Sequence, residues 1–280
     1  MAPALDTYCV LGNPVAHSRS PWIHARFAEL TGQELRYGKL LVEAGGLPAA
    51  VTALRQGGTR GCNVTVPFKF DAAALATRPT PRALLAGACN TLRFDGDEVF
   101  GDNTDGVGLV RDIAVNARVL PEGASVLLLG AGGAAAGVLG PLLAAGPQRL
   151  VVANRTPGKA QALVARHQAM ANDCGVLLAA MALEDLAEPF DIVINGTASS
   201  LGGGPVPVSP AVLRPGTLAI DMMYGTPAQP FLAWARAAGA VPRDGLGMLV
   251  EQAAEAFLVW RGVRPPSPQV LSELRALVER

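Results

Sequence analysis

The chain has 280 residues, of which half are hydrophobic and 16% are charged, a composition typical of a globular protein with one large or two medium domains. Its 23 basic and 23 acidic residues balance, so no overall positive field would draw it to nucleic acid or to an anionic membrane surface. Three histidines and four scattered cysteines lack the spacing of zinc ligands, so we expect no metal site and predict reduced, buried thiols in a cytoplasmic protein.

The first half of the chain alternates predicted strands with predicted helices. Strands are predicted at 7–12, 37–42 and 61–66, and helices at 22–30, 47–56 and 107–116. Because strand and helix alternate, the pattern predicts βαβ units and a largely parallel sheet. An Asp-Gly pair at 95–96 predicts the turn of a β-hairpin.

The third predicted strand is followed by an unusual group of polar side chains. If alternation continues, Val64, Val66 and Phe68 point to one face, while Asn63, Thr65 and Lys69 point to the other. Pro67 lacks the N–H that a sheet ladder needs, so the strand should stop there. Polar groups at the carboxyl end of a strand suit a small-molecule site in an open α/β sheet. An edge strand with a solvated face fits these seven residues equally well.

The second half begins a new α/β pattern. Strands are predicted at 125–129, 149–153, 190–195 and 217–221, and the last long helix at 248–261. The fold class is therefore α/β with two domains, an N-terminal domain at 1–105 completed by 246–280 and a second domain at 106–245. The uncharged segment 124–148 contains seven glycines or prolines, so we interpret it as a strand, a turn and a buried helix rather than a membrane span. The first ten residues do not resemble a signal peptide.

A glycine-rich turn follows the strand at 125–129. The spacing Gly130, Gly132 and Ala135, between a strand and a helix, is the fingerprint of a dinucleotide site, with Ala131, Gly133 and Ala134 in the same turn. The first glycine permits the tight turn, the second lets the backbone approach a pyrophosphate, and the helix start attracts its charge. A glycine turn used for packing alone is the alternative.

The next strand indicates which dinucleotide would bind. NAD sites usually place an acid after this strand, whereas this chain has Asn154, Arg155 and Thr156, with Lys159 close behind. Arg155 can stack on an adenine or pair with a 2′-phosphate, and Thr156 and Lys159 can add a hydrogen bond and a charge. The sequence therefore predicts NADP rather than NAD.

Seven motifs in one order resemble the shikimate dehydrogenase family over nearly the full chain. They are GNPVAHSRSP at 12–21, NVTVPFK at 63–69, GACNT at 87–91, DNTDG at 102–106, GAGGA at 130–134, NRT at 154–156 and DGLGMLVEQ at 244–252. The resemblance implies reversible reduction of 3-dehydroshikimate with NADPH on the pathway to aromatic amino acids. It also implies a substrate domain at 1–105 with 246–280 and a Rossmann domain at 106–245.

The resemblance also implies roles for individual residues. Lys69 and Asp105 match the catalytic pair, in which a lysine supplies a proton and a positive charge to the developing alkoxide. Ser18 and Ser20 match hydroxyls that bind the substrate carboxylate. Further matches to substrate-binding residues are Asn63, Thr65, Asn90, Tyr224 and Gln252. Asp105 is also among the residues that hold the ring hydroxyls. Met222 and Gly245 match cofactor-binding residues.

Simpler roles are also open for three of these residues. Lys69 could be a solvated lysine at a helix start, Asp105 could cap the helix after Gly106, and Gln252 could face solvent. The loop 195–204 departs from the family's usual pattern, which leaves its cofactor contacts open. Rival functions are a dual quinate and shikimate dehydrogenase that uses NAD, and a non-catalytic NADP-binding regulator. We expect a small-molecule substrate, no nucleic acid or membrane partner, and a monomer or homodimer.

Overall fold

The computed structural model describes residues 5–197 and 206–278 and confirms the α/β fold class. The chain divides into two compact units: unit 1 is Met1–Gly108 with Val250–Arg280, and unit 2 is Leu109–Leu249. The boundaries predicted from the sequence lie at 105/106 and 245/246. Each unit contains one six-stranded sheet.

Unit 1 is built on a mixed sheet. Its N-terminal segment contains, in chain order, β1 (Asp6–Gly12), α1 (Ser20–Thr31), β2 (Leu35–Leu41), α2 (Leu47–Gln56), β3 (Gly61–Val64), α3 (Lys69–Leu75), β4 (Arg78–Pro79), α4 (Pro81–Ala86), β5 (Thr91–Asp95), β6 (Glu98–Asp102) and the start of α5 (Asp105–Arg111). The strand order is β2-β1-β3-β5-β6-β4. β1 pairs in parallel with β2 and β3, but β5 is antiparallel to both β3 and β6. The predicted hairpin is thus present as β5 and β6, and the sheet is less uniformly parallel than the alternation of strand and helix predicts.

Strand β3 ends two residues earlier than predicted. Val64 is buried, but Val66 is 50% exposed, so the alternation of faces does not continue through Val66 as expected. The N–H of Thr65 still bonds the carbonyl of Leu11 on β1 at 2.8 Å, and the backbone then turns, with the N–H of Phe68 bonding the carbonyl of Thr65 at 3.0 Å. The turn ends at Lys69, the first residue of α3.

Unit 2 is built on a parallel sheet covered on both faces. After α5 a π-helical turn (Asp112–Asn116) leads to β7 (Ser125–Leu129), α6 (Gly133–Ala144), β8 (Arg149–Ala153), α7 (Pro157–Asp173), β9 (Leu177–Met181), β10 (Ile192–Asn195), β11 (Leu218–Asp221), α8 (Gln229–Ala237) and β12 (Val241–Arg243). The strand order is β12-β11-β10-β7-β8-β9, and each adjacent pair is parallel. Val126 and Leu128 join one apolar cluster while Leu127 and Leu129 join the other, which explains the unbroken apolar run of this strand.

Two further helices complete the chain. α9 (Leu246–Arg261) begins in unit 2 and ends in unit 1, and α10 (Ser267–Val278) follows it. In this part of the chain the sequence predicts bounds only for the helix at 248–261; α10 follows it, and its Val270, Leu271 and Leu274 are buried. The uncharged segment 124–148 forms β7, a glycine turn and α6 as predicted. Within residues 5–197 and 206–278, no helix is long and apolar enough to span a bilayer.

Candidate active site

The predicted catalytic pair is in direct contact in unit 1. Lys69 is the first residue of α3 and Asp105 the first residue of α5, so each follows the carboxyl-terminal side of a strand of the sheet. Lys69 Nζ lies 2.6 Å from Asp105 Oδ2, and the side chains are only 13% and 7% exposed. Lys69 is therefore not a solvated lysine. Asp105 lies within the first helical turn rather than before it, so the alternative of a helix N-cap is wrong.

Asn90 fixes the carboxylate of Asp105 from the other side. Its Nδ2 donates to Asp105 Oδ1 at 2.8 Å and to Thr104 Oγ1 at 2.9 Å. Its Oδ1 accepts from the backbone N–H of Thr104 at 2.8 Å and from the hydroxyl of Thr91 at 2.9 Å. One carboxylate oxygen of Asp105 thus accepts from the Lys69 ammonium and the other from the Asn90 amide. These two hydrogen bonds fix the plane of the carboxylate and therefore the direction from which a ligand can bind it.

Gln252 joins this group instead of facing solvent. Its Oε1 lies 3.3 Å from Asn90 Nδ2 and 3.5 Å from Thr104 Oγ1. Close approach of α9 to α5 depends on Gly108, because a Cβ at that position would lie 2.6 Å from the backbone nitrogen of Gln252. Asn90, Asp105 and Gln252, which lie in separate motifs, therefore share one polar cluster.

Asn63 extends the cluster toward β2. Its Nδ2 donates to the carbonyl of Asn90 at 3.2 Å and to Thr91 Oγ1 at 3.0 Å. Its Oδ1 accepts from the hydroxyl of Tyr37 at 2.6 Å. The sequence did not predict site roles for Tyr37, Thr91 or Thr104. Thr91 and Thr104 adjoin predicted site residues, whereas nothing in the local sequence around Tyr37 indicates a role in the site.

The remaining predicted substrate residues of unit 1 lie near the ends of β1 and β3. Ser20 is buried at the start of α1, and its N–H bonds Ser18 Oγ at 3.3 Å. Thr65 lies beside the end of β1, where a Cβ on Gly12 would come 2.3 Å from the Thr65 methyl. The two serines are thus paired by a local turn, and a glycine makes room for the threonine.

A buried ion pair supports the segment that carries Asp105. Asp102 is 1% exposed and accepts from Arg82 Nε at 2.7 Å, Arg82 Nη2 at 2.5 Å and Thr80 Oγ1 at 2.7 Å. The same carboxylate accepts the N–H of Asn103 at 2.8 Å, and Asn103 Oδ1 accepts the N–H of Asp105 at 3.2 Å. The end of β6 is thereby fixed before α5 begins, a role that sequence reasoning missed for Arg82 and Asp102.

In unit 2, the glycine turn has the geometry that its sequence predicts. Gly130 has φ +109°, and a Cβ there would lie 2.9 Å from the carbonyl oxygen of Gly196. Gly132 is exposed and a Cβ there would meet open space, so a ligand can approach the backbone. Ala131 and Gly132 precede α6, and Gly133 and Ala134 are its first two residues. Ala135 is buried in an apolar cluster of unit 2. The turn therefore fits the phosphates of a dinucleotide at a helix start.

The residues predicted to select NADP follow the neighbouring strand. β7 and β8 are paired with Leu129 opposite Ala153, so the segment 154–159 begins beside the glycine turn. Asn154 Nδ2 bonds the carbonyl of Thr156 at 3.0 Å, which shapes this loop. Arg155, Thr156 and Lys159 are exposed around the start of α7, and no acid occurs between 153 and 160. This surface can accept an additional phosphate.

Met222 and Gly245 lie together after β11 and β12. The N–H of Gly245 bonds the carbonyl of Met223 at 2.9 Å, and a Cβ at 245 would lie 2.3 Å from the carbonyl oxygen of Met222. Tyr224 is partly buried in the same loop of unit 2. Of the loop 195–204, whose sequence departs from the family's pattern, Asn195 to Thr197 are described, and 198–204 lie outside the described residues.

The four cysteines are free thiols. Cys9, Cys62 and Cys89 are buried free thiols, and burial raises the pKa of Cys9 and of Cys89 to about 12. Cys174 is also free but exposed, contrary to the prediction that all four are buried. Within those same ranges, no group of three or more His, Cys, Asp or Glu could hold a metal ion.

Comparison with known proteins identifies relatives over nearly the whole chain. Three family models match: the shikimate dehydrogenase substrate binding domain at 10–92, shikimate / quinate 5-dehydrogenase at 115–202 and the shikimate 5′-dehydrogenase C-terminal domain at 245–275. A shikimate dehydrogenase (NADP(+)) of Methylibium petroleiphilum is 62% identical, with 99% of this chain and 97% of that protein covered.

Solved structures agree with these matches. An Ael1 enzyme from Pseudomonas putida superimposes with a TM-score of 0.88 at 44% identity and covers 96% of this chain and 98% of its own. Shikimate 5-dehydrogenase from Thermus thermophilus, in complex with NADP(H) and shikimate, gives a TM-score of 0.82 at 32% identity and covers 97% and 99%.

Proposed function

The chain belongs to the shikimate dehydrogenase family, and we propose that it catalyses the reversible, NADP-dependent reduction of 3-dehydroshikimate to shikimate in aromatic amino acid biosynthesis. The observation that carries this proposal is the contact between Lys69 and Asp105, at 2.6 Å and largely shielded from water. A pure binding protein has no chemical need for such a pair among hydrogen-bonding side chains.

The chemistry that we assign to Lys69 and Asp105 follows from the protons that the Lys69 ammonium can donate. Bound NADPH would supply a hydride to the substrate carbonyl, and the oxygen that becomes an alkoxide would need a proton and a nearby positive charge. Lys69 Nζ has three protons, of which one is directed at Asp105, so others remain to hydrogen-bond the substrate oxygen and to be transferred. Asp105 orients the ammonium and accepts a hydrogen bond from a substrate hydroxyl. In the reverse direction Lys69 receives the hydroxyl proton.

We assign substrate binding to the polar groups around this pair. Ser18 and Ser20 are suitable neutral donors for the carboxylate. Asn63, Thr65, Asn90 and Gln252 would hold the ring hydroxyls, and the family resemblance assigns Tyr224 to substrate binding. The hydrogen bonds among Asn63, Asn90 and Gln252 support this assignment, because they orient the polar atoms before a ligand arrives.

We assign NADP binding to unit 2. The exposed backbone at Gly132, together with Ala131, Gly133 and Ala134, would hold the pyrophosphate, and Asn154, Arg155, Thr156 and Lys159 would hold the adenosine end with its 2′-phosphate. Met222 and Gly245 would line the nicotinamide end. We accordingly propose 106–245 as the cofactor domain and 1–105 with 246–280 as the substrate domain.

The test is turnover with four pairs of reactants. Shikimate and quinate are each combined with NADP and with NAD, and reduction of the nicotinamide is followed by its absorbance near 340 nm. We expect turnover confined largely to shikimate with NADP. Efficient oxidation of quinate, or a preference for NAD, would support the dual-specificity rival. Binding of NADP without any turnover would support the regulator.

We further propose a cytoplasmic protein that acts on a small molecule as a monomer or homodimer without nucleic acid. Its balanced charge supports the absence of nucleic acid, and its free cysteines support a reducing compartment. Light scattering coupled to size-exclusion chromatography would give the mass in solution. A mass above that of a dimer would contradict this proposal.

A further inference from the structure

Tyr37 contacts the predicted substrate site from a strand that none of the site motifs includes. β2 is the edge strand of the unit 1 sheet, and β1 lies between it and β3. Tyr37 is opposite Tyr8 on β1, while Asn63 is opposite Val10 on the other side of the same strand. The long Tyr37 side chain therefore crosses β1 to place its hydroxyl 2.6 Å from Asn63 Oδ1.

The orientation of the Asn63 amide is determined by its partners. One amide atom lies 3.2 Å from the backbone carbonyl of Asn90, which can only accept, so that atom must be Nδ2. The same Nδ2 lies 3.0 Å from Thr91 Oγ1, whose proton is directed at Asn90 Oδ1. Both protons of Nδ2 are thus engaged. Oδ1 must face Tyr37, and the tyrosine hydroxyl must be the donor.

One hydrogen-bonding position of Asn63 remains available. Oδ1 has two lone pairs; the Tyr37 hydroxyl occupies one, and neither ring nitrogen of the nearby His24 lies in hydrogen-bonding geometry with the other. Asn63 is 6% exposed, so the remaining lone pair is the means by which this side chain can bind a ligand. A substrate hydroxyl must therefore donate to Asn63; it cannot accept from it.

Tyr37 is itself held in place and kept protonated. The ring of His24 lies parallel to that of Tyr37, with centroids 4.3 Å apart and planes 5° apart. Burial raises the pKa of the Tyr37 hydroxyl well above its ordinary value, although a hydrogen bond with Ser20 acts in the opposite direction. The hydroxyl therefore remains a donor over the pH range of an enzyme assay, and it lies between two predicted substrate residues, Ser20 and Asn63.

We propose that Tyr37 is a positioning residue that holds Asn63 as an acceptor for a donating ring hydroxyl of the substrate. This inference rests on the proposed function and deepens it, because it states the direction of one substrate hydrogen bond. Tyr37 does not act on the reacting carbon. Its removal should weaken recognition of the substrate rather than slow the chemical step.

A double-mutant cycle between Tyr37 and Asn63 tests the proposal. Tyr37→Phe should raise KM for shikimate about tenfold while kcat and KM for NADP stay within about twofold, because one anchor of the Asn63 amide is lost. In an Asn63→Ala background, the same substitution should change KM for shikimate by less than about twofold. An equal effect of Tyr37→Phe in both backgrounds would overturn the inference.

Tyr8→Phe is the matched control, because Tyr8 is a buried tyrosine of the adjacent strand and its ring stacks on Trp260. Its hydroxyl interacts with Arg261, outside the site. We expect this variant to lose stability without a change in KM for shikimate. A rise in KM like that of Tyr37→Phe would show a general effect of losing a hydroxyl in unit 1 and would overturn the inference.

Substrate analogues test the direction of the hydrogen bond. Replacement of the C4 or the C5 hydroxyl of shikimate by fluorine removes the donor while keeping the size nearly unchanged. One of the two analogues should bind the wild type at least tenfold more weakly than shikimate, and Asn63→Ala should abolish that difference. If Asn63→Ala leaves the binding difference between shikimate and each analogue as large as in the wild type, the inference is overturned. Failure of the wild type to turn over shikimate would overturn the proposed function and this inference with it.

Discussion

The two predicted sites of this protein are built in opposite ways. In unit 1 the polar side chains are buried and bonded to one another: Asn90 makes contacts to Thr91, Thr104, Asp105 and Gln252 before any ligand is present. In unit 2 the turn at Gly132 is open, and Arg155 and Lys159 project into solvent. The proposed substrate site would thus distinguish hydroxyls by preset hydrogen-bond directions, whereas the proposed cofactor site would attract phosphates by exposed backbone and charge.

Removing the ammonium from unit 1 should have the largest effect. Lys69→Met keeps the length of the side chain but removes the proton donor, so kcat should fall by about 10³-fold, within the range for a positioned general acid. NADP affinity should remain near wild type, because Lys69 belongs to unit 1 and the predicted cofactor residues to unit 2. Steady-state kinetics and quenching of NADPH fluorescence measure the two quantities. A kcat within tenfold of wild type would contradict the role of Lys69.

A side chain in the glycine turn should disrupt unit 2 in a different way. Gly130→Ala places a Cβ 2.9 Å from the backbone oxygen of Gly196 at a positive φ, so the turn must shift. We expect NADP to bind about 100-fold more weakly, because backbone placement decides phosphate binding here. Titration calorimetry with NADP gives the measurement.

Gly175→Ala is the matched control for the glycine turn. Gly175 also has a positive φ, at +69°, but a Cβ there meets no atom within 4 Å. It should therefore lose about 1 kcal/mol of stability from backbone strain and keep wild-type NADP affinity. If the two alanine variants bind NADP equally well, close approach at Gly130 is not needed for the cofactor.

Removing one exposed charge should have a smaller and more selective effect. Arg155→Ala should raise KM for NADP about 30-fold, equivalent to about 2 kcal/mol for a charge-assisted contact with the 2′-phosphate. KM for NAD should change by less than about threefold, since NAD lacks that phosphate. Steady-state kinetics with both cofactors measures the ratio, and an equal rise for both would contradict recognition of the 2′-phosphate.

Arg166→Ala separates this contact from net charge. Arg166 is exposed on α7, eleven residues after Arg155, which corresponds to about 16 Å along a helix axis. This distance exceeds the Debye length at physiological salt, so charges that far apart interact weakly. Its loss should leave both KM values unchanged. A rise like that of Arg155→Ala would indicate general electrostatic attraction instead.

The contrast between the units also explains how much could be predicted from the sequence. β7 and β8 were predicted to the residue, because strands buried on both faces have unbroken apolar runs. The glycine turn and the segment after β8 are local features, so their geometry could be read from spacing. β3 was predicted too long because the chain turns after Thr65, where the Phe68 N–H bonds the Thr65 carbonyl, and alternation of apolar and polar residues does not show that turn.

The site in unit 1 depends on contacts that are distant along the chain. Lys69 and Asp105 are 36 residues apart, and only the family resemblance suggested that they meet. Tyr37 and Asn63 belong to strands separated by β1, so their contact requires the order of strands in the sheet. Periodicity predicts the direction of a side chain on its own strand; it does not predict which polar group from another strand will meet it.

Each unit also contains one buried histidine, and these differ in their surroundings. In unit 1, His24 lies among the rings of Phe27, Tyr37, Phe257 and Trp260, and neither ring nitrogen has a partner in hydrogen-bonding geometry. Burial lowers the pKa of His24 to about 3. The nearby Asn63 side chain acts to raise this pKa, but its effect is smaller than that of burial. In unit 2, burial also lowers the pKa of His167, but its hydrogen bond with the Leu163 carbonyl acts in the opposite direction.

The last difference should appear in acid stability rather than in activity. Between a pH of about 6.5 and a pH of about 3, the unfolded chain binds a proton at His24 that the folded protein does not, so the free energy of unfolding falls as pH falls. This one group contributes a slope of up to about 1.4 kcal/mol per pH unit, and none above its unfolded pKa. His24→Phe keeps an aromatic ring against Tyr37 and should flatten the slope, as measured by urea denaturation across this range. His167→Leu should flatten it less, because the Leu163 carbonyl already favours a protonated ring. Equal slopes in His24→Phe and the wild type would show that His24 takes up its proton in the folded protein as easily as in the unfolded chain.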